Sequence, residues 1–304
     1  MKMIKKITSI LVFLLIAGTV CAQVNNKKEA FLIGGGCDFT EDNFVTEFNE
    51  WHSFLKDYGW HVQTFLDPAR KTDIDHVMDF DWDTFKERLS SLARREVVPE
   101  QVFLGIITHG KIGADGHQIC VGNHEYKPIK ELGHILTRLQ EKGTKVAVVD
   151  MSCYSAYSVL ELLGSASCVM SMAGREVATG AITKAVASGL SSLPFLEERP
   201  SVEDVYFSVL ENSNKRMRQL PEITSFASLN TVFVEQVANY KSVRTFFEEE
   251  KPLLEHLFSP YTIKGIEEFF RSGRFIANSH GILALMYLTK FPDRQDRPCA
   301  NFYF

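Results

Sequence analysis

Long apolar runs are almost absent from this chain. Beyond its first 22 residues no stretch approaches the ~20 apolar residues needed to cross a bilayer. Excess positive charge is missing too. The 33 Lys and Arg are outnumbered by 38 Asp and Glu, and the net charge of −5 gives no broad attraction to nucleic acid. Cysteine is sparse, at six, and shows no Cys-x-x-Cys spacing. That excludes a disulfide-scaffolded miniprotein and the common zinc-binding patterns. A complete dinucleotide loop is also lacking. Gly34-Gly35-Gly36-Cys37-Asp38 follows an apolar run, but Phe39 stands where GxGxxG needs its third glycine, so a tight turn is expected. There is no internal repeat and no low-complexity tract.

What is present is ordinary globular material, rich in one residue type. The chain has 304 residues, 45% of them hydrophobic, and 23 are Phe. That length and composition suit one substantial core or two, with buried aromatics. The first residues stand apart. Lys2, Lys5 and Lys6 precede the apolar run Ile10 to Ala17, and Gly18-Thr19-Val20-Cys21-Ala22 follows. This is the pattern of a signal peptide cleaved after Ala22, giving a secreted or periplasmic protein. Lipid anchoring through Cys21 is the alternative, with Val20 a poor residue before it. Export allows disulfides. Without Cys21 the cysteines are Cys37, Cys120, Cys153, Cys168 and Cys299, an odd number that leaves at least one as a thiol.

The organising stretch runs from Val102 to Leu163. Val102-Phe103-Leu104-Gly105-Ile106-Ile107 is an apolar run ending in Thr108-His109-Gly110. Val146-Ala147-Val148-Val149 is a second, ending in Asp150-Met151-Ser152-Cys153. Between them Ile129, Leu132, Leu136 and Leu139 share one helical face. Strand, crossover helix, strand is the expectation, because short continuous apolar runs mark parallel strands buried on both faces. Parallel neighbours bring their carboxyl ends to one edge, where ligands sit in open α/β sheets. His109 and Cys153, 44 residues apart, are therefore expected side by side.

The rest of the chain supplies the other layers. Ala30 to Ile33 reads as a first strand and Trp60 to Leu66 as a second. Phe44, Val45, Phe48, Trp51, Leu55 and Tyr58 predict a helix over 43–58, and Trp82, Phe85, Leu89 and Leu92 another. Gly113, Gly116 and Gly122 place a small hairpin between Lys111 and Tyr126. A helix from Tyr154 to Leu163, a strand from Ala166 to Met172, helices over 177–190 and around Val202 to Leu210, and a last strand from Ile223 to Leu229 follow. Residues 231–304 read as a mainly helical extension, too rich in Phe to be a loose tail.

A thiol and an imidazole in reach of each other make a nucleophile and its base. The tetrahedral intermediate of acyl transfer also needs N–H donors. The Gly110 N–H can approach a carbonyl closely, and the Cys153 N–H is expected at a helix start, where the dipole favours negative charge.

Ile107-Thr108-His109-Gly110 and Val149-Asp150-Met151-Ser152-Cys153-Tyr154-Ser155-Ala156 resemble the His-Gly and Cys blocks of caspase-like (clan CD) cysteine peptidases, the group of caspases, metacaspases, legumains and clostripain. The order and spacing are similar too, as is Gln219 to Ser225 to the Pro-containing approach to the last strand of that fold. The resemblance covers roughly residues 28–230. It implies a three-layer α/β/α sandwich with a mostly parallel sheet, after a signal peptide over 1–22 and before the 231–304 extension. It also implies a cysteine endopeptidase acting on peptide or protein substrates. Cys153 would attack, His109 would handle the proton, Gly110 and Cys153 would hold the oxyanion, and no cofactor or metal would take part. One departure concerns the P1 pocket. Met151 stands two residues before Cys153, where relatives often carry Gln, Glu or Asp, and the acid at 150 comes one position early. Asp38, Met151, Ser171 and Gly174 are the expected substrate-binding positions. His117 and His124 remain alternatives for the base. A peptidase-like binding module without catalysis, or a transpeptidase using the same pair, are the rival functions.

Overall fold

A computed structural model describes residues 27–35, 43–121, 125–162, 164–171, 186–191, 193, 199–217, 240–258, 260–272, 285, 288–289, 293–297 and 299–304. The signal segment, Asp38, His124, Gly174, most of the 177–190 helix and the expected strand at 223–229 lie outside these residues.

The chain is α/β, with a parallel sheet at its centre. Its strands are β1 (Lys28–Gly34), β2 (His61–Leu66), β3 (Met78–Asp79), β4 (Gln101–Ile107), β8 (Lys145–Asp150) and β9 (Cys168–Ser171), in the order β3-β2-β1-β4-β8-β9. Every pairing within it is parallel. A separate antiparallel sheet of β5 (Gly110–Gly113), β6 (Gly116–Val121) and β7 (Glu125–Pro128) occupies the turn-rich segment. The expected hairpin thus gains a third strand.

The apolar strand runs are buried on both faces, as their continuity required. Alternate residues of one strand join different clusters. Ala30 and Leu32 face one side of the sheet, Phe31 and Ile33 the other. On the first side lies α1 (Asn43–Asp57), through Phe48, Trp51, Phe54 and Leu55. On the second lie α2 (Trp82–Arg94), through Trp82, Phe85, Leu89 and Leu92, and α3 (Gly133–Glu141), through Leu136 and Leu139. Helix α2 starts where Asp81 caps it, its carboxylate accepting the Thr84 N–H at 2.8 Å. A short α4 (Ala156–Glu161) follows β8, and α5 (Val202–Met217) joins the α1 side.

The C-terminal region adds α6 (Tyr240–Glu249), α7 (Lys251–Leu257) and α8 (Pro260–Ser272). Its last residues enter the core. Phe302 and Phe304 are buried against Trp51, Phe54, Trp60 and Phe103. The backbone is paired there as well: Val202 N–H donates to Phe302 O and Phe304 N–H to Pro200 O. A disulfide from Cys168 on β9 to Cys299 ties this segment to the sheet across 131 residues. No helix among the described residues is long and apolar enough to cross a membrane.

Candidate active site

The strand order changes direction at β1. Strand β2 lies on one side of it and β4 on the other, which makes the carboxyl ends of β1 and β4 the switch point where open α/β sheets take ligands. Residues 108–110 leave β4 at that point. Their backbone is held from two sides. Thr108 Oγ1 donates to Gly35 O at 2.5 Å and lies 2.7 Å from Cys120 O, and Cys120 N–H donates to His109 O at 2.7 Å. The His109 ring meets the Phe44 ring edge-on at 4.8 Å. Burial, and secondarily the Arg70 guanidinium, hold its pKa down to about 4, so the imidazole is neutral at pH 7.

The second block leaves the neighbouring strand at the same height. Strands β4 and β8 pair with a constant offset, Gln101 with Lys145 through Ile106 with Asp150, and Met151 N–H continues it to Ile106 O at 2.9 Å. The two blocks touch through Gly110. A Cβ on that glycine would lie 2.1 Å from the Cys153 carbonyl oxygen, 2.7 Å from His117 Cε1 and 2.8 Å from Ser152 Oγ. Only a residue without a side chain fits there. Cys153 is 8% exposed and is the described cysteine outside a disulfide.

The turn that carries Cys153 departs from the expected helix start. Helix α4 begins at Ala156, not Tyr154, and Tyr154 has φ of 61°. A positive φ at a bulky residue breaks the helix before it forms. The Cys153 N–H is therefore in a strained turn and not at a helix N-terminus, so the dipole argument for it fails. The cause is local. Asp150 Oδ1 accepts the Ser152 N–H at 2.9 Å, folding the chain back on the strand end.

Beneath the turn lies a polar cluster that the spacing of residues did not single out. Asp150, Ser152 and Ser158 have no exposed surface, nor does His117 on β6. Asp150 Oδ2 accepts from Ser158 Oγ and stands 3.2 Å from His117 Nε2, which is also 3.0 Å from Ser152 Oγ. A carboxylate only accepts, so His117 Nε2–H is the donor. Ser152 Oγ–H points to the Cys153 carbonyl at 3.5 Å. The His117 N–H donates to Glu161 Oε1 at 2.6 Å, and burial raises the pKa of that carboxyl. One sequence signal was available: His117, Ile119 and Val121 alternate in phase, as residues on one covered strand face do.

The expected pocket residues fare unequally. Met151 is turned into the core, 2% exposed, and its sulfur accepts the Trp51 indole N–H at 3.1 Å, so it offers no surface to a substrate in this arrangement. Ser171 is buried at the end of β9, opposite Asp150. Asp38 and Gly174 lie outside the described residues. The acid at 150 is committed to the turn.

No family model matches the chain, and no curated protein matches it. Among solved structures it is similar to protein GSU0716 from Geobacter sulfurreducens, with 13% identity and a TM-score of 0.40 over 60% of this chain and 88% of that one. It is also similar to the Drosophila initiator caspase Dronc, with 9% identity and a TM-score of 0.41 over 63% of this chain and 75% of that one.

Proposed function

We propose that the protein is a cysteine endopeptidase, with Cys153 as nucleophile and His109 as its base. The contact of the two blocks carries this reading: Gly110 abuts the Cys153 carbonyl so closely that no side chain fits between them. Attack of Cys153 Sγ on a scissile carbonyl transfers the thiol proton to neutral His109, and the imidazolium then protonates the leaving amine. Water attacks the thioester, His109 again takes the proton, and the acid product leaves. The Gly110 and Cys153 N–H groups are the oxyanion donors in this scheme. A pKa near 4 makes His109 a proton relay during attack and not the partner of a standing thiolate.

The same reading places the chain outside the cytoplasm after cleavage at Ala22. The disulfide between Cys168 and Cys299 supports it, since such bonds persist in oxidising compartments. Hydrolysis of a mixed peptide library by wild type and by Cys153→Ala tests the activity. Cleavage by wild type alone is expected, and equal rates would refute it. A non-catalytic peptide-binding module is the second reading, favoured by the burial of Cys153. A covalent adduct of Cys153 with a peptidyl fluoromethylketone would exclude it. An aminolysis product on adding an amine would mark transpeptidation.

A further inference from the structure

The endopeptidase scheme uses one imidazole, yet another is more deeply placed. His117 is the histidine without exposed surface among the described residues, and it belongs to a different sheet from the strands that carry His109 and Cys153. It touches both blocks. Its Cε1 lies 2.7 Å from where a Gly110 Cβ would stand, and its Nε2 reaches Asp150 and Ser152, which flank Met151 in the turn to Cys153.

A turn with a bulky residue at positive φ persists only where its surroundings over-determine it. Here the surroundings are the cluster itself. Asp150 fixes the Ser152 N–H and the Ser158 hydroxyl, His117 bridges Asp150 and Ser152, and Ser152 reaches the Cys153 carbonyl. Glu161 on α4 holds the His117 backbone from behind. An apolar side chain of equal size would fill the space and leave Asp150 and Ser152 without their donor.

We propose that His117 is a positioning residue: through Asp150 and Ser152 it sets the turn that holds the Cys153 N–H and Gly110 in register for the oxyanion. The proposal rests on the endopeptidase reading. It requires polarity at one atom, the donor at Nε2, which separates it from a packing role. Acyl transfer needs N–H donors at the developing oxyanion. Alkylation of a thiol by iodoacetamide is a single displacement that forms no oxyanion, so it reports the thiol alone.

The test compares wild type, His117→Leu, His117→Gln and His117→Asn as full mature chains. Each is assayed on a peptide that wild type cleaves, for iodoacetamide labelling of Cys153, and for a cooperative melt by circular dichroism. His117→Leu is expected to lose kcat at least about tenfold with KM within about twofold, while labelling stays within about threefold. Gln, whose amide nitrogen reaches the place of Nε2, should restore most of kcat, and the shorter Asn should not. If the Leu variant does not fold, the contrast of Gln with Asn decides. A Leu variant with kcat within twofold of wild type, equal losses of kcat and labelling, or Gln no better than Asn would overturn the proposal and leave the endopeptidase reading standing. Equal hydrolysis by wild type and Cys153→Ala would overturn both.

Discussion

Gly110→Ala adds one carbon atom at the place where the two blocks meet. That carbon would sit 2.1 Å from the Cys153 carbonyl oxygen, about 1.3 Å short of ordinary van der Waals contact. The obstacle is backbone, not the far end of a flexible chain. The other two neighbours, His117 Cε1 at 2.7 Å and Ser152 Oγ at 2.8 Å, belong to a buried hydrogen-bonded cluster and have little room to yield. Over-packing of this kind costs about 1–3 kcal/mol. In a chain of this size that lowers Tm by roughly 2–5 °C. The larger effect is on chemistry. A displacement near 1 Å between nucleophile and oxyanion donor costs on the order of 100-fold in rate. Thermal melts by circular dichroism and steady-state hydrolysis of one peptide measure both. Gly143→Ala is the control: its φ is 87°, but a Cβ there meets nothing within 4 Å. It should cost about 1–2 kcal/mol from backbone strain alone and leave kcat intact. A Gly110→Ala variant that melts with wild type and keeps its rate would refute the packing argument.

Three further outcomes follow from the structure. Phe304→Ala empties a site ringed by Phe54, Trp60 and Phe103 and should cost about 3–5 kcal/mol, read as a lower urea midpoint; an unchanged midpoint would mean that the C-terminal residues do not fill this core. Because His109 has its pKa lowered to about 4, the unfolded chain binds a proton near pH 6.5 that the native protein refuses, so stability is fully present above pH 6.5 and falls as pH drops toward 4. The acid limb of kcat/KM should accordingly lie near 4, and Arg70→Ala should move it upward only slightly, since burial is the larger cause; a limb at 6.5 in both proteins would exclude His109, with this environment, as the base.

The parallel sheet was legible because its signal is local. Continuous apolar residues in β4 and β8 leave no face for water, and the helical spacing of Phe48, Trp51 and Leu55 leaves one stripe to bury. The rise of the two His and Cys blocks to one edge followed from parallel topology. Other features were set by side-chain hydrogen bonds that apolar periodicity does not register. Met151 was expected near substrate from the resemblance to caspase-like peptidases, but the Trp51 indole, 100 residues away, draws its sulfur into the core. The helix expected from Tyr154 was delayed by Asp150, whose carboxylate captures the Ser152 N–H before helical bonds can form.

By itself, then, the sequence determined where chain segments are apolar and with what period, and hence the layers, the strand ends and the residues displayed there. Tertiary structure alone decided that His117 is buried, that Cys168 meets Cys299, and that Phe304 lies among the aromatics of α1. The physical reason is one of range. Periodicity expresses the solvent preference of neighbouring residues, whereas a polar side chain such as His117 can be buried only once Asp150 and Ser152 arrive from another strand to take its hydrogen.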